Sequence, residues 1–284
     1  MLRIISRLWK KMVAVLSFPI ILADYLSPET GLDYGVGFWA KLRLAFRMRS
    51  NRKRITTASH FLEHLLMATE ILKIPPQVEG CIVECGSFKG GSAANLSLVC
   101  RLCNRELELF DSFAGLPEPS NLDQRHVLVG EREVQTYIKG AFCGTLPEVK
   151  KNISAFGDVN LCNFNVGYFD QTMPDFQKKC ILAFLDVDLV ASLETCIKYL
   201  WPLLQDGCYL FTHEAPHKEI SAFFFADTWW QSNLGCNAPG LIGAGCGIGL
   251  QPGSGGFRSA LGYTMKNPNV VNFEVNPQTG NFGS

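Results

Sequence analysis

The chain has no excess of charge of either sign, because 26 lysine and arginine residues balance 26 aspartates and glutamates among its 284 residues. Without an overall positive field, the sequence predicts no nucleic-acid partner. Charged residues are also scarce, at 18%, while hydrophobic residues reach 47%, and this composition excludes a largely disordered chain. One basic cluster predicts a solvated face, or alternatively a contact with a phosphate-bearing substrate or an anionic surface: Arg47, Arg49, Arg52, Lys53 and Arg54.

The sequence also lacks the cysteine spacing of a disulfide framework or a zinc site. Its eleven cysteines are an odd number and are scattered through apparent strands and helices. Cys100 and Cys103 form a Cys-x-x-Cys pair, but no second Cys or His pair follows at zinc-site distance. We therefore expect buried free thiols in a reducing cytosol.

The hydrophobic run near the N-terminus is too short to cross a bilayer. It extends from Met12 to Leu22 and contains Pro19. The basic residues before it resemble the start of a signal peptide, but a secreted product would carry many unpaired thiols. These basic residues are Arg3, Arg7, Lys10 and Lys11. Arg3, Arg7 and Lys10 recur at helical spacing, which predicts an amphipathic segment that the protein retains. The segment would pack on its own domain or on a second copy, or touch a membrane surface. We expect a cytoplasmic homo-oligomer, with peripheral membrane contact as the alternative.

The length of the chain suits one large α/β domain with added segments. We expect an N-terminal helical extension over residues 1–53 and a ligand-binding core over residues 54–235. A Gly-rich C-terminal region follows over residues 236–284, where Leu241 to Leu250 and Phe257 to Thr264 are predicted to pair as a terminal hairpin.

Strands and helices alternate along the core. A first helix is predicted from Thr56 or Ser59 to Leu72, and Asp206-Gly207 is expected to close a later one. Such alternation predicts a Rossmann-like, doubly wound and mostly parallel sheet, which the terminal hairpin would complete to seven strands. The predicted strands are Cys81–Cys85, Leu107–Phe110, Leu161–Val166, Ile181–Val187 and Cys208–Thr212, and the helices between them include Ser92–Leu102 and Ser192–Leu204.

A glycine-rich turn after the first strand predicts a ligand site. It brings backbone N–H groups and a helix N-terminus towards a ligand, although a simple tight turn is the alternative. Glu84 stands where the dinucleotide fingerprint has its first glycine, so it would repel a pyrophosphate but pair with the ammonium group of S-adenosylmethionine. The cofactor-binding candidates in this turn are Glu84, Gly86, Ser87, Gly90, Gly91 and Ser92.

Acidic residues close three further strands. Asp111 follows the second strand, where a carboxylate takes the hydroxyls of a ribose. Asp186 lies at the end of the fourth, and Thr212-His213-Glu214 follow the fifth. Because the carboxyl ends of parallel strands meet at one edge of a sheet, we expect Glu84 and these side chains to converge on one crevice.

With these motifs assembled, the chain resembles the macrocin O-methyltransferase (TylF/MycF-like) family of class I methyltransferases over about residues 54–235. Four motifs, given at the end of this paragraph in chain order, carry the resemblance. It implies that the first two bind S-adenosylmethionine, with Ser112 among the binding residues. Asp170, in the third motif, is a further cofactor-binding candidate. The resemblance also implies that Asp186 occupies a metal-binding position beside the acceptor hydroxyl. The motifs are Val83-Glu84-Cys85-Gly86 with Lys89-Gly90-Gly91-Ser92, Phe110-Asp111-Ser112-Phe113-Ala114-Gly115-Leu116-Pro117, Gly167-Tyr168-Phe169-Asp170-Gln171-Thr172-Met173-Pro174 and Leu185-Asp186-Val187-Asp188-Leu189.

The sequence departs from this family where paired aspartates usually complete a magnesium site, because Thr212 and His213 occupy their positions. Asp186, His213 and Glu214 are the candidate ligands for Mg²⁺, which prefers oxygen donors. Alternatively, His213 acts as the general base beside Asp186, since an unperturbed imidazole titrates close to neutral pH.

The resemblance implies methyl transfer to a hydroxyl group of a sugar or another secondary metabolite. Two alternatives stay open at this point. The fold would bind S-adenosylmethionine or another nucleotide without catalysis, or the chain would belong with cephalosporin-hydroxylase-like enzymes, whose motifs look similar.

Overall fold

The computed structural model describes residues 22–123, 137–244 and 259–267, which form a mixed α/β fold around one sheet. Within these residues the sheet has six strands, in the order β3-β2-β1-β4-β5-β6. The first five are parallel, and β6 runs antiparallel to β5. The predicted fold class is confirmed, but the described residues contain six strands instead of seven. The strands are β1 Cys81–Cys85, β2 Leu107–Asp111, β3 Cys162–Val166, β4 Cys180–Leu185, β5 Leu204–Thr212 and β6 Gly262–Met265.

The two central strands are buried along their whole length. Every residue of β1 and of β4 is inaccessible to solvent or nearly so. This burial explains why β4 reads as a continuous apolar run, and β1 as an apolar run up to Glu84, instead of alternating patterns, since helices cover both faces of a parallel sheet.

The helices form two groups that pack around α3 and around α6 respectively. In the first group, α3 contacts α1, α2 and α4; in the second, α6 contacts α5, α7 and α8. Connections that alternate strands with such helices produce the doubly wound arrangement. The helices are α1 Phe38–Asn51, α2 Phe61–Lys73, α3 Gly91–Cys103, α4 Leu146–Phe156, α5 Phe169–Thr172, α6 Val190–Leu203, α7 Lys218–Phe223 and α8 Asp227–Leu234.

The boundary between α6 and β5 differs from the prediction. We expected Asp206-Gly207 to close the helix, but α6 ends at Leu203 and both residues lie inside β5. Gly207 adopts a positive φ of 72°, and the pairing of β4 with β5 shifts register between Cys180 and Leu182. A glycine that bends a strand and a glycine that ends a helix have the same local signature, so only the pairing distinguishes them.

The terminal hairpin is present in part. β6 pairs with β5, and one antiparallel bridge joins Ile242 to Tyr263. The remainder of the predicted hairpin falls in residues 245–258, outside the described residues, as does the predicted amphipathic segment before Leu22. No helix of the described residues combines the length and the apolar character that crossing a bilayer requires. The division at residues 53 and 235 stays a prediction.

The strand order reverses between β1 and β4, which lie side by side at the centre of the sheet. Their backbones remain joined beyond the last strand residues, because the Asp186 amide donates to the carbonyl of Cys85 at 2.9 Å. A crevice outside the carboxyl ends of the strands is expected at such a reversal.

Candidate active site

A cavity of about 700 Å³ opens beyond the carboxyl ends of four strands. Its wall includes the residue that follows β1, the last residue of β2 and the residues that follow β4 and β5: Gly86, Asp111, Asp186 and His213. The volume lies within the range of small-molecule sites. The structure thus brings together residues that are up to 127 positions apart in the chain.

At Gly86 the backbone that follows β1 lies directly against the backbone that follows β4. The φ of Gly86 is 84°, and a Cβ atom there would lie only 1.9 Å from the carbonyl oxygen of Asp186. Only glycine fits this backbone, because the conflicting atom is itself main chain. The glycine therefore places the turn after β1 directly beside the residue that follows β4.

Asp111 organises the glycine-rich turn from the neighbouring strand. One carboxylate oxygen accepts a hydrogen bond from the Ser87 amide at 2.6 Å, and the other accepts one from the Phe113 amide at 2.7 Å. Burial raises the pKa of Asp111, and these amides oppose that effect. A carboxylate has about four acceptor positions, so each oxygen can still accept a ligand hydroxyl. Ser112, on the same wall, donates to the carbonyl of Gly115 at 2.8 Å.

Glu84 lies behind the cavity wall and is completely buried. The hydroxyl of Ser92 donates to its Oε1 atom, whereas Oε2 has no hydrogen-bond partner among the described residues. The buried hydroxyl of Ser87 also has no partner there. Burial raises the pKa of Glu84 from 4.5 to about 8. Two unpartnered polar atoms beside one turn are typical of a position that a polar ligand or a water completes.

We expect this buried acid to reduce stability as the pH rises. The pKa of Glu84 is higher in the folded protein than in the unfolded chain. The stability that protonated Glu84 contributes is therefore fully present below about pH 4.5 and is lost as the pH rises through about 8. The isosteric variant Glu84→Gln stays neutral. The free energy of unfolding is measured by denaturant titration for this variant and for the wild type. The value of the variant minus that of the wild type should increase by a few kcal/mol between about pH 5 and pH 8.5.

The exposed Glu29→Gln variant is the matched control, because it removes the same charge from the surface. A difference between Glu84→Gln and the wild type that does not change with pH would contradict a raised pKa of Glu84.

The other cofactor candidates divide between the wall and its support. Gly86, Asp111, Ser112 and Asp170 line the cavity, the last from the first turn of α5. Gly91 is needed for packing, since a Cβ atom there would lie 2.7 Å from the Cβ of Thr57. The candidates that lie behind the wall are Glu84, Ser87, Gly90, Gly91 and Ser92.

His213 lies between two carboxylates. Its Nδ1 atom is 3.4 Å from Oδ1 of Asp186, and its Nε2 atom is 3.2 Å from Oε2 of Glu63. Burial lowers the pKa of His213, but Asp186 and Glu63 outweigh burial and raise it well above 6.5. Burial would raise the pKa of Glu63, yet the charge and hydrogen bond of His213 help to hold it at about 2. Both ring nitrogens of His213 thus face carboxylate oxygens, and the two carboxylates favour the protonated ring.

Glu63 is a site residue that the sequence did not reveal as one. It closes the capping box of α2, where its side chain accepts from the backbone amide of His60 at 2.5 Å. Ser259, which precedes β6, donates to its other oxygen at 2.7 Å. The sequence predicts a helix here, from Thr56 or Ser59 instead of the observed Phe61, but nothing local indicates that the Glu63 carboxylate reaches His213, 150 residues later.

A second group of acidic side chains lies next to Asp186. Asp188 and Glu214 both face the cavity, and burial together with mutual repulsion raises their pKa values, that of Asp188 to about 7. The hydroxyl of Tyr137 bonds to Asp188 and lies 3.1 Å from Nε2 of His217. Asp188 belongs to a motif that the sequence did single out, whereas Tyr137 and His217 carried no signal.

Asp186, His213 and Glu214 form a cluster that fits a divalent ion, called here the Asp186 cluster. Each offers one ligand atom, and the three atoms lie within 4.8 Å of one another. Thr212 is not part of it, since its buried hydroxyl accepts from the Glu214 amide at 3.2 Å. The predicted candidate set is therefore assembled in space, with two oxygen donors and one nitrogen donor.

Comparison with known proteins agrees with this geometry. The family model described as macrocin-O-methyltransferase (TylF) matches residues 53–223. No curated protein sequence matches the chain significantly.

Three solved methyltransferase structures are similar. The O-methyltransferase NovP is 17% identical, with 90% of this chain and 99% of that chain covered and a TM-score of 0.50. The calicheamicin methyltransferase CalS11 is 17% identical over 79% of this chain and 92% of that chain, with a TM-score of 0.46. TomG from Streptomyces achromogenes, solved in complex with SAM, is 11% identical over 78% and 89% respectively, with a TM-score of 0.46. At these identities, the likeness to NovP supports the fold alone.

The family match covers more than half of the chain and contains the glycine-rich turn, Asp111 and the Asp186 motif. It favours the methyltransferase interpretation over a hydroxylase-like enzyme or a non-catalytic binder. The chain therefore belongs to the macrocin-O-methyltransferase (TylF) family of S-adenosylmethionine-dependent O-methyltransferases.

Proposed function

We propose that the cavity holds S-adenosylmethionine against the glycine-rich turn and an acceptor hydroxyl beside Asp186. The observation that carries the proposal is the contact between Gly86 and the backbone of Asp186, which puts the turn and the polar cluster side by side. Methyl transfer from a sulfonium is an in-line displacement, so holding donor and acceptor in a row supplies most of the rate.

On the cofactor side, Asp111 accepts hydrogen bonds from the ribose hydroxyls, and Ser112 and Asp170 complete the wall. Glu84 acts from behind the turn. Its unpartnered Oε2 atom is the group that a nearby ammonium would favour in the ionised form. An acidic cavity suits a donor that carries a sulfonium and an ammonium group.

On the acceptor side, the Asp186 carboxylate accepts the hydrogen bond of the incoming hydroxyl and takes its proton as the methyl group moves. His213 holds that carboxylate in position. The sequence suggested His213 as the general base, but both its nitrogens face carboxylates, so a positioning role suits its surroundings better. A divalent ion held by the Asp186 cluster would act as a Lewis acid that lowers the pKa of the hydroxyl.

The acceptor class is a small molecule with a free hydroxyl, a sugar or another secondary metabolite. CalS11 is described as a TDP-rhamnose 3'-O-methyltransferase, and a sugar hydroxyl is proposed here by that analogy and by the family. The cavity wall mixes carboxylates with apolar side chains such as Leu116 and Phe169, as a glycosylated metabolite requires.

The test incubates the purified protein with S-adenosylmethionine and a panel of glycosylated acceptors, and measures S-adenosylhomocysteine. Release that depends on the acceptor would support the proposal. Tight cofactor binding by calorimetry without any acceptor-dependent release across the panel would count against a sugar hydroxyl as the acceptor. Self-association and contact of the N-terminal segment with a membrane remain proposals for sedimentation and vesicle-binding experiments.

A further inference from the structure

The residue that follows β5 changes the donor chemistry of the Asp186 cluster. An all-oxygen set of carboxylates suits magnesium, whereas an imidazole nitrogen suits zinc, iron, cobalt or nickel. Here the set contains two carboxylates and the Nδ1 atom of His213. Thr212, the other residue at the family's paired position, is fully buried and contributes no further oxygen to the wall.

We propose that this cluster selects a first-row divalent transition-metal ion instead of magnesium, with Nδ1 of His213 as a ligand and Glu63 as the carboxylate that orients the ring. The inference rests on the proposed function for the role of the ion in catalysis, but not for its binding. Glu63 does not touch the acceptor or the ion, and it is a positioning residue.

Glu63 supports the assignment because metal-bound histidines usually donate their second ring nitrogen to a carboxylate. The Nε2 atom of His213 lies 3.2 Å from Oε2 of Glu63, so the opposite nitrogen faces Asp186. The amide of His60, in the same helix cap, and Ser259, from a distant segment, fix the Glu63 carboxylate. Two segments of the chain therefore hold the ring in the orientation that a ligand at Nδ1 needs.

The experiment measures binding of Co²⁺, Zn²⁺ and Mg²⁺ to the purified full chain by calorimetry, and the visible absorption of bound Co²⁺. The decisive variant is His213→Asp, which converts the donor set to oxygen only. Because transition-metal ions bind most sites more tightly than Mg²⁺, the preference itself is not diagnostic. The ratio of Co²⁺ to Mg²⁺ affinity should fall by at least tenfold in His213→Asp, and the Co²⁺ absorption spectrum should change.

Glu63→Gln should lower the affinity for Co²⁺ by roughly 10–100-fold, as loss of an orienting carboxylate does elsewhere. Glu29→Gln, on the surface, is its control. Binding of S-adenosylmethionine reports whether each variant is folded. The assignment would be overturned if the affinity ratio and the spectrum were unchanged in His213→Asp. It would also be overturned if the wild type bound Co²⁺ no more tightly than the double variant Asp186→Asn/Glu214→Gln does. Either of these results would leave the proposed function intact, whereas a bound ion without any acceptor turnover would count against the proposed function and leave the metal assignment intact.

A second, independent observation concerns the outward face of α1. Four of the large hydrophobic side chains that are exposed lie in or just before this helix: Leu32, Phe38, Trp39 and Phe46. Trp39 is 70% exposed and Phe46 is 61% exposed. Arginines stand between and beside these residues on the same face, at positions 43 and 47. Neither arginine forms an ion pair with any described residue.

We infer that this face, called the α1 face and defined by Trp39, Arg43, Phe46 and Arg47, docks on an anionic lipid surface. Charge complementarity selects this occupant. Further cations follow directly at Arg49, Arg52, Lys53 and Arg54, and four more lie in residues 1–21, so a second copy or the chain's own N-terminal segment would meet like charge. Exposed tryptophan and phenylalanine rings are suited to the headgroup region of a bilayer, which separates a lipid surface from nucleic acid.

Vesicle co-sedimentation tests this inference with phosphatidylserine mixed into phosphatidylcholine, and with phosphatidylcholine alone. Binding should need the anionic lipid and weaken with salt. Trp39→Ser/Phe46→Ser should abolish it, and Arg43→Gln/Arg47→Gln should weaken it roughly fivefold for each cation removed. Phe225→Ser/Ile242→Ser removes two equally exposed side chains elsewhere and should leave binding unchanged.

Equal loss in that control, or no binding to anionic vesicles, would overturn the inference. The inference would also be overturned if light scattering showed a dimer, or if the protein bound RNA, and the Trp39→Ser/Phe46→Ser change removed that association.

Discussion

Asp186→Asn is expected to lower kcat for methyl transfer by roughly 10²–10⁴-fold while leaving the affinity for S-adenosylmethionine nearly unchanged. The amide has the shape of the carboxylate but cannot take the acceptor proton. The backbone of Asp186 meets the start of the glycine-rich turn, where its carbonyl lies against Gly86 and its amide donates to the carbonyl of Cys85. The side-chain change should therefore affect the acceptor side of the cavity alone.

Single-turnover kinetics and calorimetry with S-adenosylhomocysteine separate these effects. Asp175→Asn is the control, because this exposed aspartate lies close in sequence but does not line the cavity. If Asp186→Asn lost cofactor affinity in proportion to its rate, the assignment of Asp186 to the acceptor side would be wrong. Normal turnover in this variant would contradict any catalytic role for the carboxylate.

Gly86→Ala should destabilise the fold by about 3 kcal/mol or more and greatly reduce cofactor affinity. The new Cβ atom would lie 1.9 Å from the carbonyl oxygen of Asp186, and neither partner is a movable side chain. Relief of this overlap requires β1 and β4 to separate at the point where the turn meets the cavity. The positive φ of 84° adds a further cost for any residue with a side chain.

The matched control is Gly35→Ala. Gly35 has a φ of 66°, but a Cβ atom there would meet nothing within 4 Å. Its loss in the free energy of unfolding should be about 1 kcal/mol, the cost of the backbone conformation alone. Denaturant unfolding of both variants isolates the effect of the close approach. Equal losses in the two variants would show that the approach of β1 to β4 contributes nothing to stability.

Much of the fold could be predicted because its signals are local. The buried strands β1 and β4 read as short apolar runs, and the turn residues after them mark where each strand ends. Since parallel strands share one edge, the positions of Asp111, Asp186 and His213 at strand ends also predicted that they would meet. The site candidates were thus a consequence of topology, without knowledge of any contact.

The details of the site depended on contacts that no local pattern encodes. Glu84 was expected to face the ligand, yet it lies behind the wall, since it is still part of β1 and its side chain bonds to Ser92 of α3. Gly207 read as a helix terminator and lies inside β5, where its amide donates to the carbonyl of Lys266, the residue after β6.

The sequence by itself determined the order of strands and helices and the chemical type of residue at each strand end, because apolar periodicity and turn preference act over a few residues. Only the tertiary structure decided that Glu63, in the cap of α2, would orient His213, and that β6 would pair with β5. Both contacts join segments that are dozens of residues or more apart. Their formation depends on the packing of the whole sheet, which no short stretch of sequence contains.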